Sequence, residues 1–246
     1  MSKIVCPGCS SANYKKNGHT HNLKQNHRCK CCGRQFVLNP QKRVINETER
    51  EIINRLLLER ISLRGICRSM KVSIQWLLQY IANLYQQQSD DLNSQIQFDL
   101  NINDITIFNI DSQLDEMWSF VERKSNKQWI WIAMDTNSRQ VIAFHVGDRG
   151  ISGASKLWDK IPGIYKKHGL FHTDNWDAYL SIIPPHQHQV ASKKSGKTAY
   201  IERLNCTIRQ RNSRLVRRSL SFSKKLDNHI GSLKYFFCNY NAALHV

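Results

Sequence analysis

The chain has 246 residues, of which 41% are hydrophobic and 9% aromatic, so a substantial core can form and the composition argues against global disorder. It carries 36 Lys and Arg against 19 Asp and Glu, a formal net charge of +17. With no long apolar run and no amphipathic Lys/Trp helix, that excess points to a polyanion, nucleic acid first, rather than to a membrane. The charge is uneven. Residues 1–89 hold fifteen Lys/Arg and four Glu, residues 193–225 hold eleven and Glu202 alone, and the middle is mildly acidic. Two basic ends around an acidic middle suggest a polyanion gripped at two places.

Residues 1–38 read as a cysteine module. "CPGC" (Cys6, Cys9) and "CKCCG" (Cys29 to Gly33) provide two Cys-x-x-Cys pairs, each able to wrap one side of a tetrahedral Zn²⁺. Ile4-Val5 runs straight into Cys6-Pro7, which is not a secretion signal, so thiols or metal ligands are expected rather than disulfides. The nineteen residues between Cys9 and Cys29 suit a short hairpin, and "RQFVL" suits a strand. Zinc would replace the core that so small a unit cannot build. The two-residue spacing favours Cys6, Cys9, Cys29 and Cys32 as ligands, with Cys31 and His27 left as alternatives in the second cluster.

Residues 39–85 form the next module, with helical period over 46–85. "NETEREIINRLLLER" opens on Asn46 with Glu49 three positions on, a capping-box pattern. A short helix follows, then a turn near Lys71-Val72 and a helix beginning at Ser73. Ile66, Met70, Leu77, Leu78 and Ile81 are the expected small core. The pattern is that of a helix-turn-helix, with Ser73, Gln75, Trp76 and Gln79 facing a DNA groove and Lys42 and Arg43 on the backbone. An ordinary helical hairpin fits the same residues. Residues 86–104, with "QQQSDDLNSQ", read as a linker.

From 105 to 246 the pattern becomes mixed α/β. "ITIFNIDSQLDEMWSFVE", "KQWIWIAMDT" and "RQVIAFHVG" are three strands joined by hairpin turns, hence antiparallel. A helix over 154–161, the strand "GLFHT", a helix near 176–180, a strand near 189–191 and a long helix from about Thr198 complete a layered fold. Period two puts Asp111 and Asp115 on one strand face and Glu116 on the other. Asp174 ends "GLFHT", and Glu202 lies in the first turns of the long helix, whose Ile201, Leu204, Ile208 and Leu215 face the core. Asp115, Asp174 and Glu202 can therefore meet at one end of the sheet. Oxygen-only ligands with open positions suit Mg²⁺ or Mn²⁺, and two such ions suit in-line phosphoryl transfer. Arg209, Arg211, Arg214, Arg217 and Arg218 would continue the helix along a phosphate backbone. His172 and Asp135 receive structural readings, Cys67, Cys206 and Cys238 read as small core residues, and Trp118, Trp129 and Trp131 as packing.

"DEMW" (Asp115 to Trp118), "HTDNWDAY" (His172 to Tyr179), "YIERLN" (Tyr200 to Asn205) and "RRSLSFSK" (Arg217 to Lys224) resemble the signatures of DDE transposases of the insertion-sequence-one family. The cysteine module and helices are similar to that family's DNA-binding half. The resemblance implies a zinc ribbon and helix-turn-helix ahead of an RNase H-like catalytic domain, with Asp115, Asp174 and Glu202 as the acidic triad. It implies a bacterial cytoplasmic protein that binds the terminal inverted repeats of its element, cuts to expose 3′-OH groups and joins them to target DNA. Holding two ends together implies a homo-oligomer on double-stranded DNA. Two other readings fit the residues: a DNA-binding regulator with an inert C-terminal domain, and a structure-specific nuclease.

Overall fold

The computed structural model describes residues 4–38, 45–94, 110–191, 196–215 and 220–244. Lys42, Arg43, Arg217 and Arg218 lie outside the described residues. The chain divides into two compact units, 1–47 and 48–246.

In the first unit, β1 (Tyr14–His19), β2 (Gln25–Cys29) and β3 (Gln35–Val37) form an antiparallel sheet in the order β1-β2-β3. The core is small: Cys6, Cys29 and Phe36, with Ile4 and Tyr14 against them. His27 is buried, stacked on Phe36 at 5.5 Å between ring centroids, with the edge of Tyr14 at 5.2 Å. Gly33 turns the chain into β3 at φ +73°, where a side chain would be strained.

The second unit opens with α1 (Glu47–Leu57), α2 (Leu63–Met70) and α3 (Ile74–Gln86). Ser62 caps α2 by accepting from Gly65 N, and Ser73 caps α3 by accepting from Trp76 N. Between them Lys71 takes the left-handed conformation that closes a helix C-terminus. Ile53, Ile66, Leu77, Ile81 and Tyr85 are buried. Leu78, expected in that core, is instead 43% exposed, because it lies about 100° round the helix from Leu77. Tyr80 Oη of α3 donates to Asn54 Oδ1 of α1 at 2.8 Å, and both helices meet α8 (Leu226–Ala243), where Tyr235 Oη donates to Asn54 O at 3.1 Å and the Tyr235 ring lies 5.9 Å from that of Tyr85. At Gly231 a Cβ would run into the ring of Tyr85, so α3 and α8 approach closely only because that position is glycine.

β4 (Asp111–Phe120), β5 (Lys127–Asp135), β6 (Val141–Gly147), β7 (Leu170–Thr173) and β8 (His188–Val190) form one mixed sheet in the order β6-β5-β4-β7-β8. The first three pair antiparallel, while β7 and β8 are parallel to β4. On one face, α4 (Ile151–Lys160), α5 (Gly163–His168) and α6 (Asp177–Ile182) cover Leu114, Trp131, Ala133 and Phe171. On the other, α7 (Ala199–Arg211) and α8 cover Met117, Ile130, Ile132 and Phe144. Asp135 begins the turn after β5 as expected, accepting from Ser138 N and Oγ at 2.7 Å. Among the described residues no helix is long and apolar enough to cross a membrane.

The long helix expected from Thr198 stops at Arg211. Asn212 ends it: its Oδ1 accepts from Arg214 N at 3.0 Å, and its Nδ2 donates to Ser232 Oγ at 3.1 Å. That side chain offers the backbone an alternative to the helical ladder, so no Gly or Pro is needed. Leu215 therefore lies in a short 3₁₀ turn, still buried, and a second helix, α8, follows. Cys238 is buried and Cys67 partly so, but Cys206 is exposed on the outer side of α7, against expectation.

Candidate active site and metal centres

Four sulfurs gather at the base of the first unit. The ligand atoms of Cys6, Cys9, Cys29 and Cys32 all lie within 4.8 Å of one another, the one such group of His, Cys, Asp or Glu among the described residues. The Cys32 amide brings the Cys29 thiol down to about 6, and the Gly8 amide lowers that of Cys6. Both favour thiolate, the form that binds metal. The alternatives stand apart: Cys31 Sγ is outside the group, 3.1 Å from Ser11 Oγ, and His27 is enclosed by Tyr14 and Phe36.

The acids of the second unit are arranged by register. Gln113 pairs with His172 across parallel strands, so Asp115, two residues on, is level with Asp174, the first residue past β7. Asp115 and Gln113 share the face covered by α7. Gln113 Oε1 accepts from Ile201 N at 2.9 Å in the buried interior, and Asn205 Nδ2 donates to Asp115 Oδ2 at 2.7 Å. Four helical residues rise about 6 Å and two strand residues about 6.7 Å, so one turn of α7 spans the two strand positions. Glu202 stands on that turn, exposed, accepting from Thr198 Oγ1 at 2.9 Å.

Burial pushes the Asp115 carboxyl up to about 7, with the charges of Glu116, Asp174 and Glu202 adding to it. Asp174 and Glu202 are therefore near enough to be felt electrostatically, although the three carboxylates do not converge as closely as the cysteine sulfurs. A half-buried Asp115 with the exposed acids Asp174 and Glu202 beside it fits a cation, which would restore the ionised form of Asp115.

Glu116 points to the other face, as its register requires. Arg149 Nε and Nη2 donate to its Oε1 at 3.2 and 3.1 Å, and Tyr179 Oη donates to its Oε2 at 3.0 Å. Burial nevertheless raises its pKa. His172 Nε2 lies 3.6 Å from Asp111 Oδ2, while its Nδ1 has no hydrogen-bond partner among the described residues.

The expected DNA contacts are dispersed. Gln75 is exposed, Gln79 donates to Asn83, and Trp76 stacks on Tyr80 at 5.1 Å, while the Ser73 hydroxyl is used as a cap. Arg209 is exposed on α7, Arg211 is ion-paired to Glu59 at 3.0 Å, and Arg214 follows the end of the helix. Gln113 and the Arg149–Glu116–Tyr179 group were not foreseen. The polar alternation Asp111, Gln113, Asp115 was the available signal for Gln113; the others have partners 33 and 63 residues away.

Residues 109–240 match the family model described as IS1 transposase. The chain is 33% identical over 119 residues to the insertion element iso-IS1n protein InsB of Shigella dysenteriae, covering 48% of this chain and 86% of that protein. It is 31% identical over 118 residues to the insertion element IS1 2 protein InsB of Escherichia coli (strain K12), covering 48% and 68%. The chain belongs to the IS1 transposase family. Among solved structures, the HTLV-2 integrase catalytic core domain in complex with magnesium shares 18% identity, covering 52% of this chain and 82% of that one, at a TM-score of 0.35. So loose a likeness carries no argument.

Proposed function

We propose that this chain cuts DNA at the ends of its own insertion element and joins the exposed 3′-OH groups to target DNA, using Asp115, Asp174 and Glu202 to hold Mg²⁺ or Mn²⁺. One observation carries the reading: the turn of α7 bearing Glu202 is hydrogen-bonded to Gln113 and Asp115 of β4, at the level of Asp174, the first residue past β7. The order β6-β5-β4-β7-β8, three strands antiparallel and two parallel, supports an RNase H-like assignment for this domain. When bound, the divalent ions supply charge neutralisation at the scissile phosphate and lower the pKa of the attacking water or hydroxyl. The chain's own residues do the positioning. Asn205 orients the Asp115 carboxylate through Oδ2, the Glu116 amide holds Oδ1, and Gln113 fixes the start of α7. Arg209, with Arg217 and Arg218, would meet the phosphate backbone. In the first unit Cys6, Cys9, Cys29 and Cys32 would hold a structural Zn²⁺, and α2 and α3 would read the terminal repeats as a helix-turn-helix.

The test is cleavage and strand transfer of element-end DNA with Mg²⁺ or Mn²⁺. Asp115→Asn, Asp174→Asn and Glu202→Gln should each abolish both reactions and leave end binding nearly intact. Wild-type cutting by Glu202→Gln would remove it from the site. End binding by a wild-type protein that never cuts would favour a regulator, and cutting without joining a nuclease.

A further inference from the structure

The carboxylate of Asp174 is exposed and has no side-chain hydrogen bond among the described residues, and its carbonyl accepts from Thr173 Oγ1 at 2.7 Å. Its direction therefore depends on the short segment between β7 and α6, which ends at Trp176. The guanidinium of Arg149 lies over the Trp176 ring at 4.2 Å and over the Trp129 ring of β5 at 4.4 Å. Arg149 also binds Glu116 of β4 through two nitrogens, and Glu116 receives Tyr179 of α6 on its other oxygen. Both ends of the first turn of α6 are thus tied to β4 and β5.

The anchor is itself held. Trp131 Nε1 donates to the carbonyl of Asp148 at 2.8 Å, fixing the residue before Arg149, and the Trp131 ring meets the edge of Tyr179 at 5.5 Å. A side chain at Gly153 would strike both Trp131 and Asp148 O. A carboxylate as enclosed as that of Glu116, whose side chain is 3% exposed, is a poor source of stability, since desolvation offsets the attraction. What a planar, forked, stacked cation supplies better than an apolar pair is direction.

We propose that Arg149 is a positioning residue for Asp174: in contact with the rings of Trp129 and Trp176 and paired to Glu116, it locks the segment after β7 so that the Asp174 carboxylate is aimed at the cation site. The proposal rests on the reading of Asp174 as a cation ligand.

Calorimetric titration of the full-length, zinc-saturated protein with Mn²⁺ alone tests it without reference to catalysis. Arg149→Ala and Trp176→Ala should each weaken Mn²⁺ binding about 10-fold, in the range for residues that orient ligands. The double variant should be no weaker than either single, because both break one device. Trp176→Phe, which keeps a ring on the guanidinium, should bind nearly as wild type, and so rescues what Trp176→Ala loses. Wild-type Mn²⁺ affinity in folded Arg149→Ala and Trp176→Ala, with only a lower melting temperature, overturns the proposal. Asp174→Asn separates the two levels. If it loses affinity while Arg149→Ala does not, the clamp alone is wrong; if it binds as wild type, the ligand reading falls and the clamp with it.

Discussion

His229 shows how far a single side chain can set the response to acid. It is buried on α8 with Nε2 2.9 Å from Ser119 Oγ, and desolvation, helped by the charge of Arg214, lowers its pKa from 6.5 to about 4. The unfolded chain therefore takes up this proton first as pH falls. Stability from neutral His229 is present above about pH 6.5 and is lost progressively towards pH 4. Asp115 acts in the opposite sense, because its folded-state pKa is raised, so the comparison with a variant isolates the histidine. In His229→Gln, the fall in melting temperature between pH 6.5 and 4 should be shallower than in wild type. Identical slopes would remove His229 from the account. At the same scale, Asp115 was readable from period-two alternation. Arg149 was not, since nothing local to it names a partner 33 residues away.

At the scale of elements, two serine caps and one left-handed lysine define α2, its turn and α3; the turn near Lys71-Val72 and the helix start at Ser73 were legible in "SLRGICRSMKVSIQW", whereas the Ser73 hydroxyl, expected to face DNA, caps the helix instead. If α3 reads bases, Gln75→Ala should lose roughly 1–3 kcal/mol on the element's own ends and nothing on random duplex. Binding isotherms on both DNAs decide this; equal losses count against a recognition helix. The end of α7 was illegible for a physical reason. Asn212 stops the helix through a turn with Arg214 and a bond to Ser232, twenty residues on, and only the folded chain brings Ser232 there. The basic stretch from Arg203 to Lys225 is consequently not one continuous rod.

On the scale of the whole molecule, the helices 48–86 share a compact unit with the mixed sheet, whereas the cysteine module forms its own. From sequence, residues 86–104 read as a linker separating the helices from the α/β part. Residues 95–104 lie outside the described part, α3 packs on α8 through Tyr85 against Tyr235 and Gly231, and Ser89 and Leu92 beyond α3 are bonded to Cys238 and Asn241 of α8. Composition marks the stretch as polar but does not show that Leu92 within it is buried in the core of the second unit. Gly231→Val should force α8 off Tyr85, and its melting temperature should fall by several degrees, as a core overpacking of about 1–3 kcal/mol would produce. An unchanged melting temperature would show that the contact yields without cost.

Under the proposed function, the close approach at Gly231 bears on where the chain would cut DNA. A reading head joined to a cutting site by a slack tether would sever at scattered positions around the bases it recognises. Here the helices proposed to read and the sheet proposed to cut are faces of one packed body, with the glycine as the gap through which α3 and α8 meet. The interval between recognised bases and broken phosphate then becomes a length built into the protein, a ruler whose graduation is a single missing methyl group.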